Sequence, residues 1–326
     1  MPPLREDPRR RLLKRHPNNP LLTAFDWPYF VNTVFNPGAV RLPSGETLLL
    51  CRVEDCSGLS HLCAARSPNG VTDWKIDPHP TLLPDLEHHP EELWGIEDSR
   101  IVWVAELESY AVTYTCYSHR GPGVSLALTR DFRQFDRIGN LFPPDDKDAA
   151  LLPRRVDGRW VMIHRPVPAH GRAHIWMSFS PDLKHWGDHT VLLKARRGAW
   201  WDANKIGLAP PIVETPEGWL MMYHGVRITS AGCLYRLGLA LLDLEEPTRC
   251  LLRSTKWVMG PELDYERTGD VGDVVFPGGY TLGEDGDTLN LYYGAADTSI
   301  AVATGSVGEI LDWLHDNSTP GDQVDD

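Results

Sequence analysis

One pattern recurs five times along this chain of 326 residues: a strand that is small or contains proline, a glycine-containing turn, then a strongly apolar strand. Asn36 to Val40 leads through Ser44-Gly45 into Thr47 to Cys51. Asp98 to Val104 is followed by Tyr110 to Thr115. Asp148 to Pro153 leads through Asp157-Gly158 into Trp160 to His164. Leu208 to Val213 leads through Glu217-Gly218 into Trp219 to Tyr223, and Val275 to Gly279 leads through Asp285-Gly286 into Leu289 to Tyr293. Glycine accepts positive φ, so such turns mark hairpins. A second hairpin signal follows in three units, at Ser67 to Trp74, Thr129 to Phe135 and Ser180 to Trp186. Each has Ser or Thr, then Asp or Asn two residues on, then a closing aromatic. Two hairpins make a four-stranded sheet, and five such sheets around an axis make an all-β, five-bladed β-propeller. A solenoid or a sandwich is the alternative. Helical spacing is confined to Val307 to His315, where Ile310, Leu311 and Leu314 share a face, so a short C-terminal helix is expected. The expected layout is an N-terminal arm over residues 1–24, a propeller over 25–316 and a disordered acidic tail over 317–326.

Charge narrows the partners. The formal net charge is −13, which excludes a general nucleic-acid binder but leaves room for a small anion at a local basic cluster. No apolar run is long enough to cross a membrane. The six cysteines form no CxxC pair and follow no secretory segment, so reduced thiols in a cytoplasmic protein are expected. Arg5 to Arg15 is basic and flanked by prolines. It reads as a surface arm suited to packing on another subunit, consistent with a homo-oligomer.

In a propeller, the first strand of each blade lines the central channel, and residues near its start face the mouth. Here those positions are polar. Unit one offers Asn32 and Thr33; unit two offers Glu97, Asp98 and Arg100; unit three offers Asp146, Lys147 and Asp148. Unit four offers Asp202, Asn204 and Lys205, and unit five offers Asp270, Asp273 and Phe276. An Asp before a strand is ordinarily a turn former. Recurrence at one register argues against that, because a circular fold would converge the side chains. Carboxylates mixed with Asn, His, Trp and Tyr suit a carbohydrate pocket. Arg52, Lys147 and Lys205 add an anion site. A carboxylic acid that protonates a leaving glycosidic oxygen is half of glycoside cleavage. An inverting hydrolase needs a second carboxylate to activate water. Phosphate is already an anion and attacks C1 itself, so one acid among cations points to phosphorolysis.

At these residues the chain resembles glycoside hydrolase family 130, the β-mannoside phosphorylases. Gly95 to Arg100 is similar to the family's Glu-Asp-Pro-Arg signature. Val34 to Ala39, Lys147 to Pro153, Lys205 to Ile212, Tyr223 to Val226, Tyr235 to Gly238 with Leu241 to Leu244, and Val275 to Gly279 are similar too. The likeness runs from about Phe25 to Leu314. It implies a five-bladed propeller and inversion at C1 without metal or organic cofactor, with inorganic phosphate as co-substrate and mannose-containing oligosaccharides as the sugar partner. It places the general acid on Asp98, acting through the mannose 3-hydroxyl. It places phosphate contacts on Arg52, Lys147, Lys205 and Tyr235, and sugar contacts on Asn32, Thr33, His164, Phe276 and Asp297. Asp148 falls beside the basic residue where relatives carry Asn or Asp. Ser99 stands where the family has Pro, which is expected to loosen the turn.

Each residue also has a plainer reading. Glu97 either raises the proton affinity of Asp98 or pairs with Arg100. Arg52 pairs with Glu54 or Asp55, His164 is a satisfied core histidine, and Trp200-Trp201 is either core or a sugar platform. The expected activity is inverting phosphorolysis of β-1,4- or β-1,2-linked mannosides, giving α-mannose 1-phosphate. A β-mannosidase and a non-catalytic glycan-binding propeller are the alternatives.

Overall fold

A computed structural model describes residues 12–230 and 232–321. Strand β1 (Lys14–Arg15) comes first. Blade 1 then holds β2 (Thr33–Arg41), β3 (Thr47–Glu54), β4 (Ser60–Ser67) and β5 (Lys75–Ile76). Blade 2 holds β6 (Ile96–Val104), β7 (Ser109–Ser118), β8 (Gly121–Thr129) and β9 (Asp136–Asn140). Blade 3 holds β10 (Asp146–Leu151), β11 (Trp160–Pro166), β12 (Ile175–Ser180) and β13 (Gly187–Leu193). Blade 4 holds β14 (Lys205–Leu208), β15 (Val213–Thr215), β16 (Gly218–Thr229), β17 (Gly232–Leu242) and β18 (Cys250–Ser254). After a single turn of helix, α1 (Asp264–Arg267), blade 5 holds β19 (Val275–Leu282), β20 (Thr288–Ala295) and β21 (Ser299–Ser306). Helix α2 (Val307–Asp316) and strand β22 (Ser318–Pro320) complete the described chain. The sheets are antiparallel and their order follows the repeats read from the sequence. Alternating side chains bury both faces of each blade against its neighbours, which is why Leu48 to Cys51 and Trp219 to Tyr223 read as unbroken apolar runs. No helix among the described residues is long and apolar enough to cross a membrane.

Both expected boundaries need correction. The described part of the N-terminal arm is built into the propeller. Leu12 and Leu13 are buried in a core cluster with Leu289, Leu291 and Ala303. β1 pairs with β21 as the outermost strand of blade 5, so the chain start closes the ring on the last blade. Arg15 fixes this closure with two bonds to buried Glu266, at 2.6 and 3.0 Å, and one to the Gly260 carbonyl. Paired charges cost less to bury than single ones, and Tyr293 donates a further bond to the same carboxylate. The basic residues therefore disguised a strand whose anchor is the Leu12-Leu13 pair. At the other end Ser318–Pro320 is not tail but an edge strand paired with β18 of blade 4. Residues 1–11 and 322–326 lie outside the described part.

The inner strands share a device that positions the site. In β2, β6 and β10 the register slips so that two residues face one on the next strand. These β-bulges fall on Asn36-Pro37, Asp98-Ser99 and Asp148-Ala149. The first residue of each has a left-handed backbone, with φ of 41°, 48° and 54°. Asn and Asp tolerate that region better than other side-chain-bearing residues. A bulge re-aims a side chain that regular pleating would bury between blades. Blade 5 slips by one residue at Gly278, and blade 4 breaks its inner strand outright between β14 and β15.

Candidate active site

The bulges bring Asn36, Asp98 and Asp148 together around the axis. Asn36 Nδ2 donates to Asp98 Oδ1 at 2.9 Å, and the Arg52 guanidinium lies 3.4 Å from the same oxygen. Asp98 Oδ2 has no hydrogen-bond partner among the described residues. Beneath it, buried Arg100 donates to the Asp98 carbonyl at 2.9 Å and to the Ala209 carbonyl at 2.5 Å. Arg100 thus ties the blade 2 bulge to the broken inner strand of blade 4. Ser99, expected to loosen the turn, does the reverse. It is fully buried and its hydroxyl donates to the Leu50 carbonyl at 2.9 Å, pinning the bulge to blade 1. Gly38 makes room for it, since a Cβ there would sit 2.7 Å from Ser99 Oγ.

The cations are embedded in carboxylates. Arg52 lies 3.1 Å from Glu54 and 3.3 Å from Glu97, as well as near Asp98. Glu97 also reaches Lys147 at 3.3 Å. Glu97 therefore bridges two cations, and does not pair with Arg100. Burial opposes the charge on Lys147, but Glu97, Asp98 and Asp148 overcome it and raise its pKa. Asp148 is held by Arg165 at 2.7 Å and by His224 at 3.3 Å. Burial works against its charge, yet Arg165 and Arg100 bring its pKa well below the usual carboxylate range. Burial, with Arg165, Lys205 and Arg100 nearby, lowers His224 to about 3, so its ring is neutral at physiological pH. Lys205 lies over the Tyr235 ring, 5.3 Å from its centroid, and has no carboxylate within ion-pair distance among the described residues. Phe276 packs against His224 and under Arg100.

Asp297 is a second acid at the mouth. Burial is the largest cause, and repulsion from Asp98 the next, of a pKa raised to about 7, with nearby Arg52 pulling the other way. The expected source of a raised proton affinity was Glu97. The carboxyl whose proton affinity is raised is Asp297, beside Asp98. Asn32 donates to Asp270 at 3.0 Å, and Asp270 is in turn among the charges acting on Asp297. Thr33 Oγ1, Asn36 Oδ1, Arg100 Nη2 and His224 Nδ1 are buried without a hydrogen-bond partner. Burying unpaired polar atoms is costly, and their concentration here suits a ligand rich in hydroxyls or phosphate oxygens.

Three expected mouth residues, His164, Asp146 and Asp202, are elsewhere. His164 has both ring nitrogens occupied, by Asp146 at 2.6 Å and Ser178 at 2.7 Å, and stacks on Phe142 at 4.1 Å. No polar atom is left for a sugar, and the core-histidine reading holds. Asp202, placed at the mouth by its register, is fully buried between blades against Arg196, Arg253 and Tyr223. Arg100, expected at the mouth, lies beneath it, and Asn36, Arg165 and His224 belong to the site although sequence reasoning did not rank them as ligand-facing. The available signal for Asn36 was its position in the same register as Asp98 and Asp148.

A five-bladed channel holding one acid with a free carboxylate oxygen, a second carboxyl of raised proton affinity and several cations defines a carbohydrate-active propeller that can accommodate an anion. The model of the family described as glycoside hydrolase 130, β-1,4-mannooligosaccharide phosphorylase, matches residues 8–316, and the chain belongs to that family. It is similar to a β-1,2-mannobiose phosphorylase of Listeria innocua, 38% identical over 259 residues, covering 79% of this chain and 70% of the relative. It is similar to a β-1,4-mannooligosaccharide phosphorylase of Ruminococcus albus, 31% identical over 312 residues, covering 94% and 91%. The solved structure of a Listeria innocua β-1,2-mannobiose phosphorylase with β-1,2-mannobiose superimposes with a TM-score of 0.84 at 31% identity, covering 94% of this chain and 99% of that one.

Proposed function

We propose that this protein is an inverting β-mannoside phosphorylase, with Asp98 as general acid and inorganic phosphate as nucleophile. The carrying observation is the juxtaposition of Asp98, held by Asn36 and Arg52, with Lys147 in the same network of ion pairs. Lys205 and Tyr235 extend that network through His224 and Asp148. Phosphate bound among Arg52, Lys147, Lys205 and Tyr235 attacks C1. Asp98 delivers a proton through the mannose 3-hydroxyl to the bridging oxygen as that bond breaks. The products are α-mannose 1-phosphate and a sugar shortened by one residue. Asp297 and Thr33 present hydrogen-bonding groups to the mannose.

The arrangement gives less support to hydrolysis. A water-activating base must be an unencumbered carboxylate. Glu54 and Glu97 are committed to cations, and Asp148 to Arg165 and His224. The relatives' names favour β-1,2- or β-1,4-linked mannosides as substrates. The test is to incubate the protein with β-1,2- and β-1,4-mannobiose, with and without phosphate. Mannose 1-phosphate should form only with phosphate; free mannose released at an equal rate without phosphate would mean a mannosidase.

A further inference from the structure

The turn that leads into Asp98 carries an aromatic cluster that the proposed reaction does not use. Trp94 and Tyr117 are 43% and 38% exposed, and exposed His119 lies beside them. Trp94 meets Tyr117 edge-on with 5.5 Å between ring centroids, and His119 at 6.4 Å. Strand register places the cluster. Glu97, next to the acid, pairs with Thr115 on β7, and Tyr117 is two residues further out, about 7 Å along the strand. Side chains alternate across a strand, so Tyr117 shares a face with Thr113 and Thr115. Thr113 donates to the Ala149 carbonyl, so that face looks toward β10 of blade 3. β7 runs outward and β10 inward, which sets Tyr117 over the start of β10. The tip of the β7–β8 hairpin agrees, because a Cβ on Gly121 would collide with the Asp145 carboxylate. The cluster therefore stands on the rim of the mouth between blades 2 and 3, outward of Asp98 and of the Glu97–Lys147 pair.

The rim is held rigidly from beneath. Trp94 N donates to the Tyr117 carbonyl at 2.8 Å, and Tyr117 N to the Gly95 carbonyl at 3.1 Å. Gly95 has a φ of 108° and pairs with Ser60 of blade 1, where a Cβ would come within 2.8 Å of the Ser60 backbone. Glycine alone fits that contact. Ser60 Oγ in turn accepts from Arg52 Nε at 3.0 Å, so the turn and a phosphate cation share a support. Just before the turn, Glu92 is fully buried and accepts from Tyr114 at 2.7 Å and from the Asp85 amide at 2.8 Å. A buried carboxylate and a glycine contact thus fix a turn whose outward side chains are Leu93 and Trp94. An indole kept half-exposed on a rigid base loses little freedom when a ligand covers it, so its burial appears as affinity. Indole and phenol rings present flat apolar faces that suit the C–H face of a pyranose.

We infer that Trp94 and Tyr117 form a distal acceptor-side subsite, a platform for the second sugar beyond the cleaved bond. The inference rests on the proposed reaction for the place of that bond, at Asp98. The first sugar beyond it lies against the acid, and the next reaches the rim. A mannoside of three or more units is then a better substrate than the disaccharide.

Calorimetric titration in the Asp98→Asn background, where turnover does not consume the ligand, tests this with β-1,2- and β-1,4-linked mannobiose and mannotriose. In one of the two linkages the trisaccharide should bind about tenfold more tightly than the disaccharide. Trp94→Ala should weaken the trisaccharide by about that factor, down to the affinity of the disaccharide. Trp94→Phe, which keeps a ring, should restore part of the gain. With Asp98 intact, Trp94→Ala should raise KM for the trisaccharide more than it changes kcat, as loss of uniform binding does. No gain from the third sugar in either linkage would overturn the inference, as would a gain that survives Trp94→Ala. An equal loss for both sugar lengths would also overturn it, because the change would then be disturbing the mouth itself. Sedimentation supplies the last check: a dimer that Trp94→Ala splits into monomers would make the rim a subunit interface, and the inference false. Failure of the phosphorylase reading would appear separately, as mannose released without phosphate by the enzyme with Asp98 intact.

Discussion

Two clusters in this molecule each pair carboxylates with cations and behave as opposites. At the channel mouth, Asp98, Glu97, Arg52 and Lys147 share partners at 3.3 to 3.4 Å, keep side-chain exposures of 11 to 30%, and leave Asp98 Oδ2 open. Between blades 3 and 4, Asp202 is fully buried. One of its oxygens accepts from Arg253 at 2.7 Å, Tyr223 at 3.0 Å and Arg196 at 3.1 Å. The two arginines spend further donors on the Lys194 and Ser254 carbonyls. The first cluster has long contacts and is open to exchange of partners, as a site that must admit phosphate requires. The second is buried away from the mouth and joins the chain between blades 3 and 4 to blade 4, although Asp202 Oδ1 has no hydrogen-bond partner among the described residues. What separates them is the backbone: Asp98 rides on a left-handed bulge that turns it to the axis, with Glu97 and Lys147 beside bulges, and Asp202 does not.

That contrast can be broken by two substitutions. Asp98→Asn keeps the shape and the acceptor oxygen for Asn36 but removes the proton. Phosphorolysis should fall about a thousandfold, the scale of a lost general acid, with the urea midpoint unchanged. A non-catalytic glycan binder would instead keep its function. Asp202→Ala should do the reverse. It strands two buried guanidinium groups, so unfolding free energy should drop by about 3 to 5 kcal/mol. Turnover per folded molecule, measured well below the melting transition, should stay within a few fold. If Asp202→Ala left stability intact while activity collapsed, the division between the clusters would be false.

The ring of blades was legible in the sequence because hairpin turns need glycine and blade cores need apolar alternation, and both repeat with the architecture. Asp98, Arg52 and Lys147 were legible through motif likeness and register. Register alone misled at Asp202, which lies in the turn before β14 and on no bulge, and at Asp146, which turns to His164. The bulges leave little trace. Asn36-Pro37, Asp98-Ser99 and Asp148-Ala149 look like unrelated dipeptides until the shared left-handed preference of Asn and Asp is noticed. His164 ends an apolar strand in the way a channel residue would, and only the pairing of Asp146 and Ser178 around its ring shows otherwise. β1 was missed because two anchoring leucines sit among basic residues, and ring closure is a property of the far end of the chain.

The smallest effect concerns the second carboxyl of the mouth. Asp297 has a folded-state pKa near 7, against an unfolded value of about 3.9. Between these values the folded chain holds a proton that the unfolded chain has lost. Stability attributable to this group is therefore complete below about pH 4, falls as pH rises, and is lost once pH passes the folded value. Asp297→Asn imitates the protonated form at every pH. The variant and wild type should be equally stable at pH 4, and the variant should be more stable at pH 8. A gain of about 1 to 2 kcal/mol in denaturant titration is expected, less than the full shift because nearby Arg52 and solvent screen the charge. The Asp98→Asn background should reduce the gain, since Asp98 is the charge that most raises Asp297. Parallel stability curves from pH 4 to 8 would show that Asp297 is ionised throughout. The mouth would then hold no reserve proton beside Asp98, and an ionised Asp297 would be a candidate base for water, which would blur the line between phosphorolysis and hydrolysis that the cations draw.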